Sequence, residues 1–162
     1  MKITLLVVGK TTDARLVSLI EEYKQRLSHY LPFEFVVIPD IKNAKALSGD
    51  QLKAAEGQAI LRTITNNQSP ITNSLVLLLD EHGREFRSIE FADFLQKKMS
   101  SGKDITLIIG GAYGFSQAVY DRANGKISLS QMTFSHQMIR LMAIEQIYRA
   151  MTILRNEPYH HE

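Results

Sequence analysis

The sequence contains no cysteine and no tryptophan, and only four of its 162 residues are proline. Without cysteine there are no disulfides, thiolate metal sites, iron–sulfur clusters or thiol nucleophiles. No stretch approaches the roughly 18 consecutive apolar residues of a membrane span. The apolar start of the chain runs into Thr11, Thr12, Asp13, Ala14 and Arg15, where a signal peptide would need small residues for cleavage. It reads as a first strand. A dominant charge is also lacking, since 19 Lys and Arg against 17 Asp and Glu leave +2. Such a balance is only a faint pointer to a polyanionic partner. The 44% apolar and 22% charged shares are ordinary for a globular chain and exclude disorder and collagen-like repeats. The expectation is one soluble cytoplasmic domain over 1–162, with no membrane contact, burying about 70% of the surface its unfolded chain exposes.

What is present alternates. Residues 2–8 form a β-branched run closed by Gly9, a strand signature. Asp13 can cap a helix whose apolar positions include Leu16, Leu19, Ile20, Tyr23 and Leu27. Residues 33–40 alternate as a second strand, and Ser48 and Gln51 stand at capping-box spacing before a helix to near Thr65. Residues 66–73 carry turn chemistry. Residues 75–80 and 105–110 are apolar on both faces, as central parallel strands are. Ser88 can cap a helix through Met99, and a short helix starts at Ser116. A final strand over 126–131 precedes a long helix from about His136 to Arg155. Five strands interleaved with five helices predict an α/β fold: a mostly parallel sheet flanked by helices.

Three strand ends could carry chemistry. Ile109 to Phe115 form a glycine-rich turn at the carboxyl end of a buried strand, where open α/β sheets bind ligands. The spacing Gly110, Gly111, Gly114 is neither a dinucleotide fingerprint nor a phosphate loop, so ligand-binding turn and plain tight turn both stand. Leu79 to Gly83 end the other apolar strand, as a polar surface loop or as the second wall of one crevice. Asp80, Glu81 and His82 lie too close together to resemble a metal set, and no zinc-ligand spacing occurs, so no metal is expected. Ser128 to His136 interleave small hydroxyls with apolar residues, a combination that suits the edge and faces of adenine. His136 itself is either a helix-start residue or a phosphate donor at a helix N-terminus.

The last helix is apolar nearly all round, which predicts cover on most of its faces: the sheet on one and a second subunit on another. Glu145 and Arg149 on it are i,i+4 partners, either a plain surface pair or part of a site. The tail Asn156 to Glu162 holds Tyr159, able to stack on a base, and His160, able to donate or exchange a proton. A frayed terminus is the equally open alternative.

These segments carry a resemblance. The start MKITLLVVGK, the stretch AEGQAIL leading to LLLDEHG, the turn LIIGGAYG and the block from SLSQMTFSHQMIR to RNEPYHHE occur in the order found in the RlmH (YbeA-type) ribosomal RNA methyltransferases of the SPOUT class. The chain resembles that family over its whole length. The resemblance implies S-adenosylmethionine as cofactor and methylation of N3 of pseudouridine 1915 of 23S ribosomal RNA. It also implies a homodimer acting on the assembled 70S ribosome and a trefoil-knotted C-terminal half. Transferred residue by residue, the cofactor contacts fall on Leu79, Gly110, Leu129, Ser130, Gln131, Met132, Thr133 and Phe134. Candidate catalytic positions fall on Glu145, Arg149, Tyr159 and His160. The chain has Ser135 where family members often carry proline, and His161 where many carry Lys or Arg. Two rival classes remain. An RNA-gripping module would need no adenosine crevice, and a Ser-His hydrolase would need a G-x-S-x-G elbow, which is absent.

Overall fold

A computed structural model of the chain describes residues 1–66 and 73–161. The turn expected over 66–73 falls on 67–72, outside the described residues. The described elements are β1 (Ile3–Val8), α1 (Ala14–Ser28), β2 (Phe33–Ile38), α2 (Gly49–Thr65), β3 (Leu75–Glu85), α3 (Ser88–Ser100), β4 (Ile105–Ile109), α4 (Gln117–Arg122), β5 (Gly125–Ser128) and α5 (Met138–Leu154). A 3-10 turn, Ala44–Ala46, interrupts the connection after β2.

The strands make one sheet in the order β2-β1-β4-β3-β5, with every neighbouring pair parallel. All residues of β1 and β4 are buried, because helices cover both faces. Side chains alternate between two cores, as the period of two in a strand requires. Ile3, Leu5 and Val7 face α1, α3 and α5, meeting Leu27, Leu95 and Ile147 in one cluster. Leu6 and Val8 face α2 and α4, meeting Ile60, Ile64 and Val119 in the other. Each fully buried aliphatic contributes about 1.5–3 kcal/mol relative to exposure.

The helix starts follow the expected chemistry. The Asp13 carboxylate accepts from the Arg15 N–H at 2.8 Å. Ser48 and Gln51 form the reciprocal capping box, at 2.9 and 3.2 Å. At α3 the cap lies one residue earlier than expected: Arg87 is the cap, its N–H donating to Glu90 at 2.9 Å, and Ser88 is already helical.

Two boundaries differ in ways that shape the site. β3 does not stop at Asp80 but continues to Glu85, with a register shift in which both Leu79 and Arg84 pair with Ile127. Residues 80–83 therefore bulge from the ladder before it resumes. Gly83 permits this, since a Cβ there would lie 2.6–2.8 Å from the Ile127 backbone. β5, in turn, ends at Ser128 rather than at 131. Ser128 Oγ donates to the Ser130 carbonyl at 2.8 Å, and Ser130 Oγ accepts from the Met132 N–H at 2.9 Å. Such local side-chain bonds replace ladder bonds and turn the chain away from the sheet.

Candidate active site

Register brings three strand ends level. Leu79 pairs with Ile109 on one side and Ile127 on the other, so Asp80, Gly110 and Ser128 leave the sheet side by side. Above them opens a cleft of about 560 Å³, within the roughly 300–1,000 Å³ of small-molecule sites. Seven of the expected cofactor positions line it: Leu79, Gly110, Leu129, Ser130, Met132, Thr133 and Phe134. Gln131 is on the same loop but is not part of the lining. Asp80, Glu81 and His82 also line the cleft, so the bulge is a wall of the crevice rather than a remote surface loop.

Sequence reasoning passed over several residues that build this cleft. Tyr120, on α4, donates a short hydrogen bond to Asp80 Oδ2, and both residues line the cleft. Burial alone would raise the Asp80 pKa. The Tyr120 hydroxyl, the His82 N–H and nearby Lys126 outweigh it, and the net shift is downward. Burial and the same bond push Tyr120 up to about 12. Glu56, on α2, lies behind the glycine turn: a Cβ on Gly111 would sit 2.4 Å from Glu56 Oε2. A Cβ on Gly57 would sit 2.2 Å from Ser116 Oγ. Glycine at 57 and 111 thus lets α2 press against the turn that floors the cleft. The AEGQAIL segment was visible in the sequence, but nothing in its spacing says which strand end it will back.

The loop between β5 and α5 is tied down at its far end. Ser135 Oγ accepts from the Met138 N–H at 3.0 Å, a helix-capping bond that proline could not make. Arg140, 1% exposed, donates to the carbonyls of His136, Gly9 and Val8 at 2.9, 2.7 and 2.8 Å, and to Thr11 Oγ1 at 3.0 Å. One buried guanidinium thereby joins the end of β1 to the start of α5. Its sequence signal was a cation within the first turn of a mostly apolar helix. His136 lines the cleft just ahead of that helix.

Glu145, Arg149, Tyr159 and His160 do come together, but elsewhere. Arg149 Nη2 donates to Glu145 Oε1 at 2.6 Å, and the Tyr159 hydroxyl donates to the same oxygen at 3.0 Å. The Arg149 guanidinium lies 4.8 Å from the Tyr159 ring centre, and its Nη1 is 3.3 Å from His160 Nδ1. A guanidinium can only donate, so Nδ1 is the acceptor and the neutral His160 ring carries its proton on Nε2. Burial, followed by the contacts with Tyr23 and Glu145, holds the Tyr159 phenol above its ordinary pKa. The tail is packed rather than frayed, since the Tyr30 hydroxyl also donates to Glu157. None of these four residues lines the cleft. From Ile139, which does, Glu145 and Arg149 lie about 9 and 15 Å along the helix axis. Among the described residues, no group of three or more His, Cys, Asp or Glu side chains gathers as metal ligands. No described helix is long and apolar enough to cross a membrane.

Known proteins resemble this arrangement in sequence and in fold. The family model described as "Predicted SPOUT methyltransferase" matches residues 1–160. A protein of Parabacteroides distasonis named ribosomal RNA large subunit methyltransferase H is 57% identical, covering 100% of both chains. One of the same name from Flavobacterium johnsoniae is 53% identical over the same full coverage. Among solved structures, a protein of Bordetella pertussis described as a probable methyltransferase superposes with a TM-score of 0.55 at 12% identity, covering 92% of this chain and 95% of its own. A methylase-family structure from Haemophilus influenzae gives 0.52 at 14% identity, and this chain spans 66% of its length. The structural likenesses concern the fold, and the family match and the relatives decide the membership. The chain belongs to the SPOUT methyltransferase family.

Proposed function

We propose that this protein is an S-adenosylmethionine-dependent methyltransferase acting on N3 of a pseudouridine in large-subunit ribosomal RNA, position 1915 of the 23S chain. The relatives' shared name supports the ribosomal RNA class. The observation that carries the reading is the separation of two centres: a glycine-floored cleft at three strand ends, and a cation–carboxylate–phenol cluster about 9–15 Å further along α5.

The cleft suits the cofactor by its chemistry. Leu79, Leu129, Met132 and Phe134 offer apolar cover for a base, and the backbone at Gly110 and at Ser128–Ser130 offers donors and acceptors for its edge. Asp80, held ionised, offers an acceptor for an amine or hydroxyl. When bound, S-adenosylmethionine supplies an electrophilic methyl on a sulfonium. The chain's own tasks are then to aim the acceptor nitrogen and to manage its imide proton.

Arg149 fits the second task. Two of the five donors of its guanidinium are occupied by Glu145 and His160, which leaves others for the oxygen of a developing imidate. Glu145 fixes the guanidinium in place. Tyr159, with its proton committed to Glu145, orients the cluster rather than acting as a base, and His160 completes it beside Arg149.

Reacting atoms must approach to about 3–3.5 Å, so a cluster this far from its own cleft calls for a second copy. In that arrangement the tail of one protomer serves the cleft of its partner. Exposed Met132, Phe134 and Met138, at the cleft and the start of α5, are the apolar surface such a homodimer would cover. The trefoil knot, the 70S ribosome as substrate and a cytoplasmic location belong to the same reading. Calorimetric titration with S-adenosylmethionine should give one site per chain. Nucleoside mass spectrometry on 70S ribosomes from a strain lacking the gene should gain one methyl at the target pseudouridine when the protein is added. No heat in the titration would point instead to an RNA-binding module, and an unchanged ribosome would overturn the substrate assignment.

A further inference from the structure

We propose that Tyr23, on α1, is a positioning residue of this reaction: its hydroxyl sets the hydrogen-bond chain that runs through Tyr159 and Glu145 to Arg149. The inference rests on the function proposed above and goes beyond it, since it brings in a helix that touches neither the cofactor residues nor the four clustered ones in sequence.

Counting protons fixes the direction of the chain. The Tyr23 and Tyr159 hydroxyls are 3.1 Å apart, and each has a single proton. Tyr159 gives its proton to the Glu145 carboxylate, which can only accept. Tyr23 must therefore be the donor to Tyr159. The order is Tyr23 to Tyr159 to Glu145, with Arg149 donating to the same Glu145 oxygen and, through Nη1, to His160. Removing the first donor frees the Tyr159 oxygen to turn elsewhere, and with it the proton that now holds Glu145 against Arg149.

Packing makes α1 the support for this chain. Tyr23, on α1, and Tyr30, in the turn two residues past its end, both pack against one ring of α5. The Tyr148 ring lies between them, with edge contacts to Tyr23 at 5.6 Å, Tyr30 at 5.7 Å and Tyr159 at 4.8 Å between centroids. Tyr30 holds the tail a second time through Glu157. The tail is thus ordered within one chain before any second copy or RNA arrives. A prepositioned tail spares the ordering entropy that a loose terminus would lose on engaging substrate.

The test uses full-length protein and three variants: Tyr23→Phe, Tyr159→Phe and the double. Tyr23→Phe keeps the ring against Tyr148 and removes only the hydroxyl. Methyl transfer to unmodified 70S ribosomes, S-adenosylmethionine affinity, unfolding midpoint and amide hydrogen exchange over residues 157–161 are measured on each. Expected for Tyr23→Phe is a kcat lower by about three- to tenfold, the size of one hydrogen bond, with ribosome KM, cofactor affinity and midpoint near wild type. Exchange in the tail should quicken by a similar factor. The double variant should be no slower than Tyr159→Phe alone, because both changes break one chain. Equal kcat for Tyr23→Phe and wild type, multiplying effects in the double, or a fall in kcat matched by weaker cofactor binding and a lower midpoint would each overturn the proposal. If wild type itself leaves the ribosome unmethylated, the substrate assignment fails instead. Tail exchange then decides the positioning claim, with unchanged exchange overturning it.

Discussion

Arg140 Nη2 donates to the carbonyl of Val8 at 2.8 Å, across 132 residues of sequence. The first strand and the last helix are thereby joined by a buried cation held by carbonyls and a hydroxyl. Because the same side chain grips His136, this link also anchors the loop that walls the cleft. One residue thus bears on both the fold and the proposed cofactor site.

Replacing Arg140 by Met fills similar volume but leaves the Val8 and Gly9 carbonyls without these donors. The expected loss is about 3 kcal/mol, lowering the unfolding midpoint by about 6–12 °C. Thermal unfolding followed by circular dichroism measures it. S-adenosylmethionine affinity should weaken as well. A midpoint within a degree or so of wild type would mean that the carbonyls find other partners.

Gly83→Ala is expected to disturb the edge of the sheet. Its new Cβ would meet the Ile127 backbone at 2.6–2.8 Å, and backbone cannot step aside as a side-chain end can. The loss should be about 1–3 kcal/mol in urea unfolding, accompanied by weaker cofactor binding, because the bulge at 80–83 carries Asp80 into the cleft. Gly102→Ala, where a Cβ meets nothing within 4 Å, tests only the strain of a positive φ, +74°, and should lower stability by about 1 kcal/mol with no effect on cofactor affinity.

His160→Ala and Arg149→Gln should separate turnover from cofactor binding. Neither residue lines the cleft, so calorimetry should return an affinity near wild type for both. Turnover on ribosomes should fall by about 10²-fold or more for Arg149→Gln, the scale of losing one charged stabiliser of a developing oxyanion. Loss of cofactor binding in either variant would sink the two-centre arrangement.

Glu56 makes a prediction in pH. Burial raises its pKa above the ordinary 4.5, and Asp40 adds to the shift, while the Gly111 N–H opposes it. A carboxyl whose folded pKa is raised favours the fold in its neutral form, so its contribution is present at low pH and is lost as pH rises through the folded value. Glu56→Gln cannot ionise. Relative to wild type, the variant should therefore gain stability as pH rises above the ordinary carboxyl value of 4.5, measured as urea midpoints across that rise. A difference that stays flat with pH would overturn the assignment.

Much of this architecture is legible in the sequence. The two apolar runs are the buried β4 and the start of β3, where Val76, Leu77 and Leu78 are buried, and the capping chemistry of Asp13 and of Ser48 with Gln51 starts the expected helices. Residues 129, 130 and 132–134, which the resemblance marks as cofactor contacts, line the cleft. Element ends were harder to read. The Ser128 and Ser130 side chains end β5 early by bonding backbone, and the β3 bulge depends on a close approach between Gly83 and Ile127 that periodicity does not encode.

Sequence alone determined the alternation of elements, the two-faced burial and the family, because these follow from local hydrophobic period, capping residues and ordered motifs. Tertiary structure alone decided who meets whom. It put Tyr120 on Asp80, Tyr23 on Tyr159 and Arg140 on Val8, and kept the Arg149 cluster out of its own cleft. Such pairings depend on strand order and helix docking, which bring together residues tens to more than a hundred positions apart. The lack of cysteine and of a large charge excess narrowed the chemistry. Packing then chose the groups left to perform it.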